Sequence, residues 1–345
     1  MSNQNFNADL ITEALSDETG KLIGTFADYE ANSFKEDSAG KDDPVGCFKQ
    51  DNPWFTHGNV LSSLEVLRTG LRAGLKHILP DAIPDNDKTI AFVINPGAPF
   101  EGMGEILFAA VHGFRCVVKL PPDSKKAFEC LLACFGKVDG RLQKSIILIE
   151  GNLPPYDGLI GINAFENKTA AAYLSRKPNL MLSFRGCTVT LTGDESKGRL
   201  IHVAEDICRY YGRSFYSLKS LRVPEDYNFN DLFAAMEHFN ANSNNHRYFN
   251  HYEYHKSIFL INGIQHLDNG FILLTPDLEH TGKTAVVTYS HYKLLLEGKP
   301  VSNEDITKPV GGNNSLHQAL INGTVKEEDR LFYNSAAISG FLSAI

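Results

Sequence analysis

Hydrophobic and polar positions follow two different spacings along the chain, and the change from one to the other outlines the fold. Between residues 60 and 78, apolar side chains recur every three or four positions, which predicts one buried face of an α-helix. They are Val60, Leu61, Leu64, Leu67, Leu71, Leu75 and Ile78. From Thr89 onward, short runs rich in β-branched residues alternate with longer stretches of helical spacing. This second pattern predicts strands separated by helices.

The alternating region predicts a parallel, doubly wound α/β sheet, because elements of this length alternate in such folds. The predicted strands are Thr89–Ile94, Cys116–Leu120, Ser145–Ile149, Gly158–Ile162 and Thr188–Leu191. The predicted helices are Phe100–His112, Ser124–Phe135, Ala164–Ser175 and Gly198–Tyr211. Ligands of such sheets bind beyond the carboxyl ends of the strands, so functional residues are expected in the loops that follow them.

Changes in composition divide the 345 residues into four segments. Residues 1–50 are polar and predict an N-terminal appendage with one amphipathic helix around Ala8–Leu15. Residues 51–211 predict a nucleotide-binding-type lobe. Residues 212–310, where polar and aromatic side chains crowd together after Gly212, predict a second, catalytic-type lobe with strands at 270–274 and 285–289. The remainder, 311–345, is treated as a C-terminal segment.

Charge and hydropathy narrow the partners and the compartment. The chain has 33 Lys and Arg against 41 Asp and Glu, a formal net charge of −8. A non-specific nucleic-acid binder normally has the opposite sign, so no nucleic-acid partner is expected. No stretch reaches the roughly 20 apolar residues that span a bilayer. The first ten residues lack the apolar region of a signal peptide, and a cytoplasmic protein without a membrane span is expected.

The cysteines predict structural rather than catalytic roles. The six are Cys47, Cys116, Cys130, Cys134, Cys187 and Cys208. None forms a CxxC pair, which argues against a zinc knuckle or a thioredoxin motif. Their apolar neighbours favour reduced, buried thiols. Cys208 is a candidate nucleophile only if its surroundings lower its pKa, and its neighbour Arg209 points away from it on a helix.

Two loops of the alternating region are candidate ligand sites. The first strand–helix turn reads Asn95-Pro-Gly97-Ala-Pro-Phe-Glu-Gly102-Met-Gly104, which is not the GxGxxG dinucleotide fingerprint. This turn is either an ordinary tight loop or a place where backbone approaches a ligand. Lys119 ends the second strand, where it either holds a nucleotide phosphate or is simply solvated.

Three histidines near residue 250 raise the question of a metal site. His246, His251 and His255 are spaced five and four residues apart. No Asp, Glu or Cys joins them in a known ligand pattern, so we predict no metal site there, and a metal-dependent protein stays the weakest hypothesis.

Several segments together carry a family resemblance over about residues 50–315. They are Asn52-Pro-Trp-Phe-Thr, Val117-Val-Lys-Leu, Asn163 to Tyr173, Phe184 to Gly193, Glu205-Asp-Ile, Tyr211-Gly212, Leu221-Arg-Val-Pro, His246-Arg-Tyr-Phe-Asn250 and His266-Leu-Asp-Asn-Gly-Phe271. The chain resembles the acyl-CoA reductases related to the fatty-acid reductase of bacterial bioluminescence, in the short form common in Bacteroidetes. The resemblance implies an aldehyde-dehydrogenase-like fold. In that family a Cys thiolate attacks an acyl thioester, and NADPH reduces the acyl-enzyme to an aldehyde.

The same resemblance implies roles for individual residues. Lys119, Gly161 and Asn163 match the family's nucleotide-contacting region in position, so NADPH is the implied cofactor. His246 and Asn250 belong to the implied substrate pocket. Acyl-CoA or an acyl carrier protein is the implied partner.

The sequence departs from the family at two positions that its chemistry needs. The segment that holds the family's nucleophilic Cys reads Gly212-Arg-Ser-Phe215-Tyr-Ser here, so Phe215 stands at the nucleophile's place. The turn that holds the family's oxyanion Asn has Gly97 at that place. Cys208, seven residues before Phe215, and Asn95, two before Gly97, are the candidate substitutes. A shift of seven residues is about two helical turns, so Cys208 is not expected to compensate.

The leading hypothesis is therefore a reductase-like scaffold without the covalent chemistry. It would bind an acyl thioester, a carrier or NADPH, or pair with an active paralogue or an acyl-activating enzyme, as a homo- or hetero-oligomer. The alternative is an active enzyme of altered mechanism, either NADPH-dependent reduction or a non-covalent acyl reaction.

Overall fold

The computed structural model describes residues 8–33, 44–74, 86–164, 177–182, 187–292 and 334–345. The chain divides into two units: residues 1–183 with 326–345, and residues 184–325. This division lies upstream of the boundary near Gly212 that the sequence predicts. The reason is that the strand at Cys187–Thr190 pairs with Leu218–Pro224 and so belongs to the second unit. The predicted helix beyond Ala164, the predicted helix end at Leu75 and Ile78, the motif residues 184–186 and residues 293–333 lie outside the described residues.

The first unit is built on a five-stranded sheet in which every neighbouring pair is parallel. Its strands are β1 (Thr89–Ile94), β2 (Arg115–Lys119), β3 (Ile146–Ile149), β4 (Gly158–Ile162) and β5 (Asn179–Leu182). The order across the sheet is β3-β2-β1-β4-β5. This arrangement confirms the predicted parallel α/β sheet.

Helices pack around this sheet. Those that precede residue 165 in the described ranges are α1 (Ala8–Ser33), α2 (Pro44–Asp51), α3 (His57–Gly74), α4 (Met103–Val111), α5 (Pro122–Val138) and α6 (Gly140–Ser145). Every residue of α4 is buried, so this helix lies inside the unit rather than on its surface. Apart from Glu105, its residues are apolar or glycine, as expected for a fully enclosed helix.

The N-terminal residues differ from the predicted polar appendage. Helix α1 extends well beyond Ala8–Leu15 and packs against α3 and α5. Leu15 and Phe26 on this helix are 0% and 1% exposed, and the Phe26 ring meets the Phe48 ring edge-on at 6.1 Å. A few apolar residues at helical spacing among many polar ones are enough to attach the helix, because burial of each large side chain contributes about 1.5–3 kcal/mol.

The described residues of the second unit form another five-stranded sheet and three helices. The strands are β6 (Cys187–Thr190), β7 (Leu218–Pro224), β8 (Leu267–Asp268), β9 (Leu273–Thr275) and β10 (Val286–Tyr292), in the order β6-β7-β10-β9-β8. Only β8 and β9 among these described strands pair antiparallel. The helices are α7 (Lys197–Cys208), α8 (Asn230–Met236) and α9 (His246–Asn262), with 3-10 turns at Arg209–Gly212, Glu237–Asn244 and Leu278–His280.

A final helix, α10 (Ser335–Ala344), returns to the first unit, where it packs on α4 and β5. Before it, the buried Asn334 side chain donates a 3.0 Å hydrogen bond to the buried carboxylate of Glu105. After it, Ile345 fills the space beside Gly158, where a Cβ would lie 2.2 Å from Ile345 Cδ1. A side chain at position 158 would therefore displace the end of this segment.

No helix in the described ranges combines the length and the apolar character that crossing a bilayer requires.

Candidate functional site

The three residues assigned to cofactor binding lie together at the carboxyl edge of the first sheet. Val93 of β1 pairs with Lys119 of β2 on one side and with Gly161 of β4 on the other. Asn163 follows β4 with a left-handed backbone, φ 48°, and its N–H donates to Leu182 O at 3.2 Å. Strand order thus brings together residues that are up to 44 positions apart in the sequence.

A hydrogen bond to a backbone carbonyl group holds the Lys119 side chain at this edge of the sheet. Its Nζ donates a 2.6 Å hydrogen bond to the carbonyl oxygen of Gly151, in the loop after β3. The side chain is only half-buried, so its ammonium remains reachable from solvent. A positively charged group fixed beside the ends of β2 and β3 is suited to an anionic ligand as a point charge.

Hydrogen bonds from backbone N–H groups hold the turn after β1 in place. Asn95 is exposed, and its N–H donates to Ile162 O at 3.0 Å. Gly97 is buried, and its N–H donates to the Glu101 carboxylate at 2.7 Å. Sequence reasoning missed Glu101, which is only 8% exposed. Its position immediately before helix α4, where a helix dipole favours negative charge, was the available signal.

Two residues of this turn have positive φ angles. Phe100 has φ 58° and Gly102 has φ 93°. The φ of Gly102 lies in the region that favours glycine, and a Cβ there would also lie 2.7 Å from Ile94 Cδ1, which would have to shift. The turn is a closed structural loop around a buried carboxylate, with Gly97 inside it and the Asn95 side chain outside.

In the second unit, Phe215 lies in the short loop before β7. Its side chain is 4% exposed and meets the Tyr216 ring edge-on at 4.9 Å. Ser214 tightens the loop, since its hydroxyl accepts from Tyr216 N–H at 3.2 Å and its carbonyl accepts from Ser217 N–H at 2.9 Å. The place that the resemblance assigns to a nucleophile therefore holds a packed aromatic ring.

Cys208 ends helix α7 upstream of that loop. It is 1% exposed, and burial raises the pKa of its thiol far above the usual range. Between Cys208 and Phe215 the chain passes through three left-handed residues, Tyr210, Tyr211 and Gly212, with φ 55°, 60° and 64°. At Gly212 a Cβ would lie 2.9 Å from the carbonyl oxygen of Ile207, and the Lys219 ammonium hydrogen-bonds Gly212 O.

His246 and Asn250 lie one turn apart on α9, and both are exposed. The helix begins at Asn245, whose side-chain oxygen accepts from Arg247 N–H and Tyr248 N–H at 3.0 and 3.2 Å. This is a regular N-cap. The structure thus places the two predicted substrate residues on one accessible face of a capped helix.

The histidines of α9 differ in burial. His246 and His251 are exposed, whereas His255 is 7% exposed. Within the described residues, no three His, Cys, Asp or Glu side chains are arranged to hold a metal ion. The His255 ring instead packs near Phe259, at 6.4 Å, and its Nδ1 finds no hydrogen-bond partner in the described ranges. Burial, with His251, His280 and Lys283 nearby, lowers its pKa to about 4.

A polar cluster on the same helix was not anticipated from the sequence. The Tyr252 hydroxyl donates to Asp268 at 2.7 Å, and the Lys256 ammonium lies 2.8 Å from the same carboxylate and 3.1 Å from the hydroxyl. Burial alone would raise the pKa of Asp268, but hydrogen bonds from Lys256, Gly270 N–H and Tyr252 outweigh it and lower the pKa. The cluster ties α9 to β8; the four-residue spacing of Tyr252 and Lys256 was the visible signal.

Comparison with known proteins identifies the fold. No protein-family model and no curated protein matches the amino-acid sequence. A methylmalonate-semialdehyde dehydrogenase from Oceanimonas doudoroffii is similar in structure, with a TM-score of 0.55 and 11% identity over 84% of this chain and 70% of that one. A succinate-semialdehyde dehydrogenase from Burkholderia pseudomallei has a TM-score of 0.51 and 12% identity, over 84% and 70%.

A variant of betaine aldehyde dehydrogenase from Staphylococcus aureus, in complex with NAD⁺ and with a BME-modified cysteine, has a TM-score of 0.57 and 10% identity, over 83% of this chain and 67% of that one. At such identities the similarity establishes the architecture alone. The chain has the aldehyde-dehydrogenase fold, as the sequence resemblance implies.

Proposed function

We propose that this protein binds an acyl thioester and a nicotinamide nucleotide on an aldehyde-dehydrogenase-type scaffold without performing covalent acyl reduction. The observation that carries the proposal is Phe215, a 4% exposed phenyl ring at the place that the resemblance assigns to the nucleophilic Cys. A phenyl ring has no lone pair with which to attack a thioester carbon, so an acyl-enzyme cannot form there.

Cys208 is a poor replacement nucleophile. Its thiol is almost entirely buried, and its raised pKa keeps it protonated at neutral pH. The thiolate is the reactive form of cysteine. The glycine at position 212 and the two left-handed tyrosines before it fix where α7 ends, which opposes a shift of Cys208 toward position 215.

The oxyanion function is also weakened. Gly97 has no side-chain amide, and its N–H already donates to Glu101. The Glu101 carboxylate would repel a negative charge developing beside it. Asn95 carries an amide, but on the exposed side of the turn. Two separate requirements of acyl transfer are therefore unmet by the residues that the resemblance would assign to them.

Nucleotide binding is supported by the edge of the first sheet. In an open sheet of this order, the crevice between β1 and β4 is the place where ligands bind. Gly161 and Asn163 border it, and Lys119 lies at the same edge of the sheet on β2, on the other side of β1. One cation with glycine and backbone groups fits a nucleotide held without a glycine-rich phosphate loop. We take NADPH as the nucleotide on the sequence resemblance; the S. aureus dehydrogenase was solved with NAD⁺. When bound, such a cofactor supplies a hydride.

Acyl-thioester binding is supported by the exposed His246 and Asn250 on α9, polar groups that can hydrogen-bond a ligand without first being uncovered. The partner in this proposal is acyl-CoA or an acyl carrier protein. An active paralogue or an acyl-activating enzyme would then perform the chemistry, within a homo- or hetero-oligomer.

Titration of the purified full-length chain with NADPH, NADP⁺ and acyl-CoA, by calorimetry and thermal shift, tests the proposal. Each true ligand should raise the melting temperature by mass action. Lys119→Gln should weaken NADPH binding and leave acyl-CoA binding unchanged, whereas His246→Ala with Asn250→Ala should do the reverse. Sustained acyl-CoA-dependent NADPH oxidation that Cys208→Ser abolishes would overturn the proposal.

An active enzyme of altered mechanism is the second candidate, because accessible polar groups persist at Asn95, Lys119, His246 and Asn250. A non-covalent reaction on an acyl group needs only binding and positioning. Mass spectrometry of reaction mixtures that contain the neighbouring gene products would reveal a new product, and the absence of any product in every combination would remove this candidate.

A further inference from the structure

The C-terminal segment meets the first turn of helix α4 through a buried hydrogen bond. The Asn334 side chain is 4% exposed, and its Nδ2 donates to the Glu105 carboxyl group at 3.0 Å. Glu105 lies in the first turn of α4 and is itself 6% exposed. The two residues are 229 positions apart in the sequence. Two enclosed polar side chains from distant parts of the chain therefore meet at the start of this helix.

The start of α4 lies over the carboxyl ends of the two strands that border the proposed nucleotide crevice. A Cβ at Gly102, directly before α4, would lie 2.7 Å from Ile94 Cδ1 of β1 and 3.2 Å from Ile162 Cδ1 of β4. The preceding turn is closed by the 2.7 Å hydrogen bond from Gly97 N–H to Glu101. A displacement of the first turn of α4 would therefore also displace this turn at the crevice.

Asn334 also fixes the beginning of α10. Its carbonyl oxygen accepts a 3.0 Å hydrogen bond from Ile338 N–H, at the N-terminal end of that helix. The other end of the segment lies at the amino end of β4, where Ile345 packs beside Gly158. The Lys88 ammonium donates to Ile345 O there at 2.5 Å. One side chain thus connects the start of α10 to the start of α4.

The Asn334 amide matters to α4 because the Glu105 carboxyl group is buried. A buried polar group loses its hydration on folding and needs hydrogen-bond partners inside the protein. Removing a donor from such a group costs more than an exposed hydrogen bond would, since water cannot take its place. Loss of the Asn334 amide is therefore expected to loosen the first turn of α4.

We propose that Asn334 is a positioning residue for the nucleotide site, so that nucleotide binding and the attachment of α10 stabilise each other. This inference rests on the proposed nucleotide site between β1 and β4. Asn334 acts through Glu105, which holds the first turn of α4 and with it the turn from Gly97 to Gly102. Coupling between two sites is reciprocal. NADPH should therefore protect α10, and loss of the Asn334 amide should weaken NADPH binding.

Two measurements on the full-length chain test this coupling. By calorimetry, Asn334→Ala should weaken NADPH binding by roughly fivefold or more, whereas Ser339→Ala, at an exposed position of α10, should not change it. Amide hydrogen exchange of residues 334–345 should slow when NADPH is added, and Asn334→Ala should abolish this protection. A merely structural role would change the stability of α10 without making its exchange respond to the nucleotide.

Exchanging the donor and the acceptor provides a rescue. Asn334→Asp alone sets two carboxyl groups against each other and should weaken NADPH binding more than Asn334→Ala does. Adding Glu105→Gln restores a hydrogen bond, now with the amide on α4 and the carboxylate on α10, and should recover most of the lost affinity. This double variant also carries the test if Asn334→Ala does not fold.

The outcomes separate this inference from the function on which it rests. No NADPH binding by the unmodified chain would overturn the nucleotide site itself. Unchanged affinity in Asn334→Ala, or no recovery in the double variant, would overturn only the role of Asn334. In the ligand-free chain, exchange of residues 97–106 should accelerate in Asn334→Ala, and unchanged exchange there would show that Asn334 does not hold this turn.

Discussion

At the scale of single residues, burial decides what each candidate group can do. Phe215 and Cys208 are close in sequence and both enclosed, so the first fills space and the second stays a protonated thiol. His255 is likewise enclosed, while His246 on the same helix is exposed. Identical residue types thus have different chemistry because of their surroundings, which composition and spacing do not reveal.

A cysteine introduced at position 215 should not by itself confer acyl-CoA reductase activity. Phe215→Cys removes most of a buried ring, so the free energy of unfolding should fall by about 2–4 kcal/mol. Reductase activity should stay absent, because Gly97 still offers no oxyanion amide. Urea denaturation and NADPH oxidation with acyl-CoA measure the two effects, with Phe215→Leu as the smaller-cavity control. Turnover by the Cys variant would show that the oxyanion function has survived.

His255 should make the fold sensitive to acid. Its pKa is lowered to about 4 in the folded chain, against about 6.5 when unfolded. The unfolded chain therefore binds more protons between these values, and stability should be lost as pH falls below about 6.5. Urea denaturation from pH 4 to 8 measures the slope. His255→Gln should flatten it, whereas the exposed His246→Gln should not; equal slopes in both variants would refute the assignment.

At the scale of elements, the ends of the helices determine where the candidate functional residues lie. Helix α7 ends in the left-handed Tyr210–Gly212 turn, and α9 begins at its Asn245 cap and ends at the left-handed Gly263. Tyr211 of the turn after α7 contacts Tyr248 of α9, with their ring centroids 5.6 Å apart. These three boundaries set the positions of Cys208, Phe215, His246 and Asn250.

Alanine substitutions at Gly212 and Gly263 separate the cost of a left-handed backbone from the cost of a steric clash. Gly212 and Gly263 have almost the same backbone, φ 64° and 65°, but only a Cβ at position 212 meets another atom, Ile207 O at 2.9 Å. Gly263→Ala should cost about 1–2 kcal/mol from the left-handed backbone alone. Gly212→Ala should lower the free energy of unfolding by at least about 1 kcal/mol more, since a backbone carbonyl group cannot move away as a flexible side chain can. Equal losses in chemical denaturation would show that the turn rearranges.

Periodicity predicted part of this architecture well. Strands β1 and β4 match their predicted bounds, because each is a buried apolar run between clear turn residues. Strand β5 was missed, since Asn179–Leu182 contains no β-branched residue to indicate a strand. The Glu101 loop and the Tyr252–Asp268 cluster depend on contacts that tertiary folding creates, and no local pattern encodes them.

At the scale of the whole molecule, the fold tolerates far more sequence change than a catalytic site would. Identity to the dehydrogenases compared above is only 10–12%, yet both sheets form. A buried sheet requires apolar residues of suitable size, a condition that many sequences meet. A nucleophile requires one atom type at one position, and a single substitution removes it.

The last helix should depend on Gly158. In Gly158→Val the new side chain would collide with Ile345 and Phe341, whose atoms lie 2.2 and 3.0 Å from the Cβ position. Amide hydrogen exchange of residues 334–345 should accelerate, because α10 and Ile345 lose their packing contact with Gly158 of β4. Gly140→Ala, where nothing lies within 4 Å of the Cβ position, is the control. Unchanged exchange in the valine variant would mean that the helix is held by Asn334 and α4 instead.

The return of α10 also bears on how the chain is made. The first unit is discontinuous, since residues 184–325 come between β5 and the helix that covers β4. During synthesis on the ribosome, the first sheet therefore lacks α10 until the entire second unit has been made. Gly158 and the Glu105 carboxylate are not covered by the C-terminal segment in that interval. At about 5–20 residues per second that interval lasts roughly 10–30 seconds. During it the nascent first unit is a natural client for a chaperone that shields apolar surface.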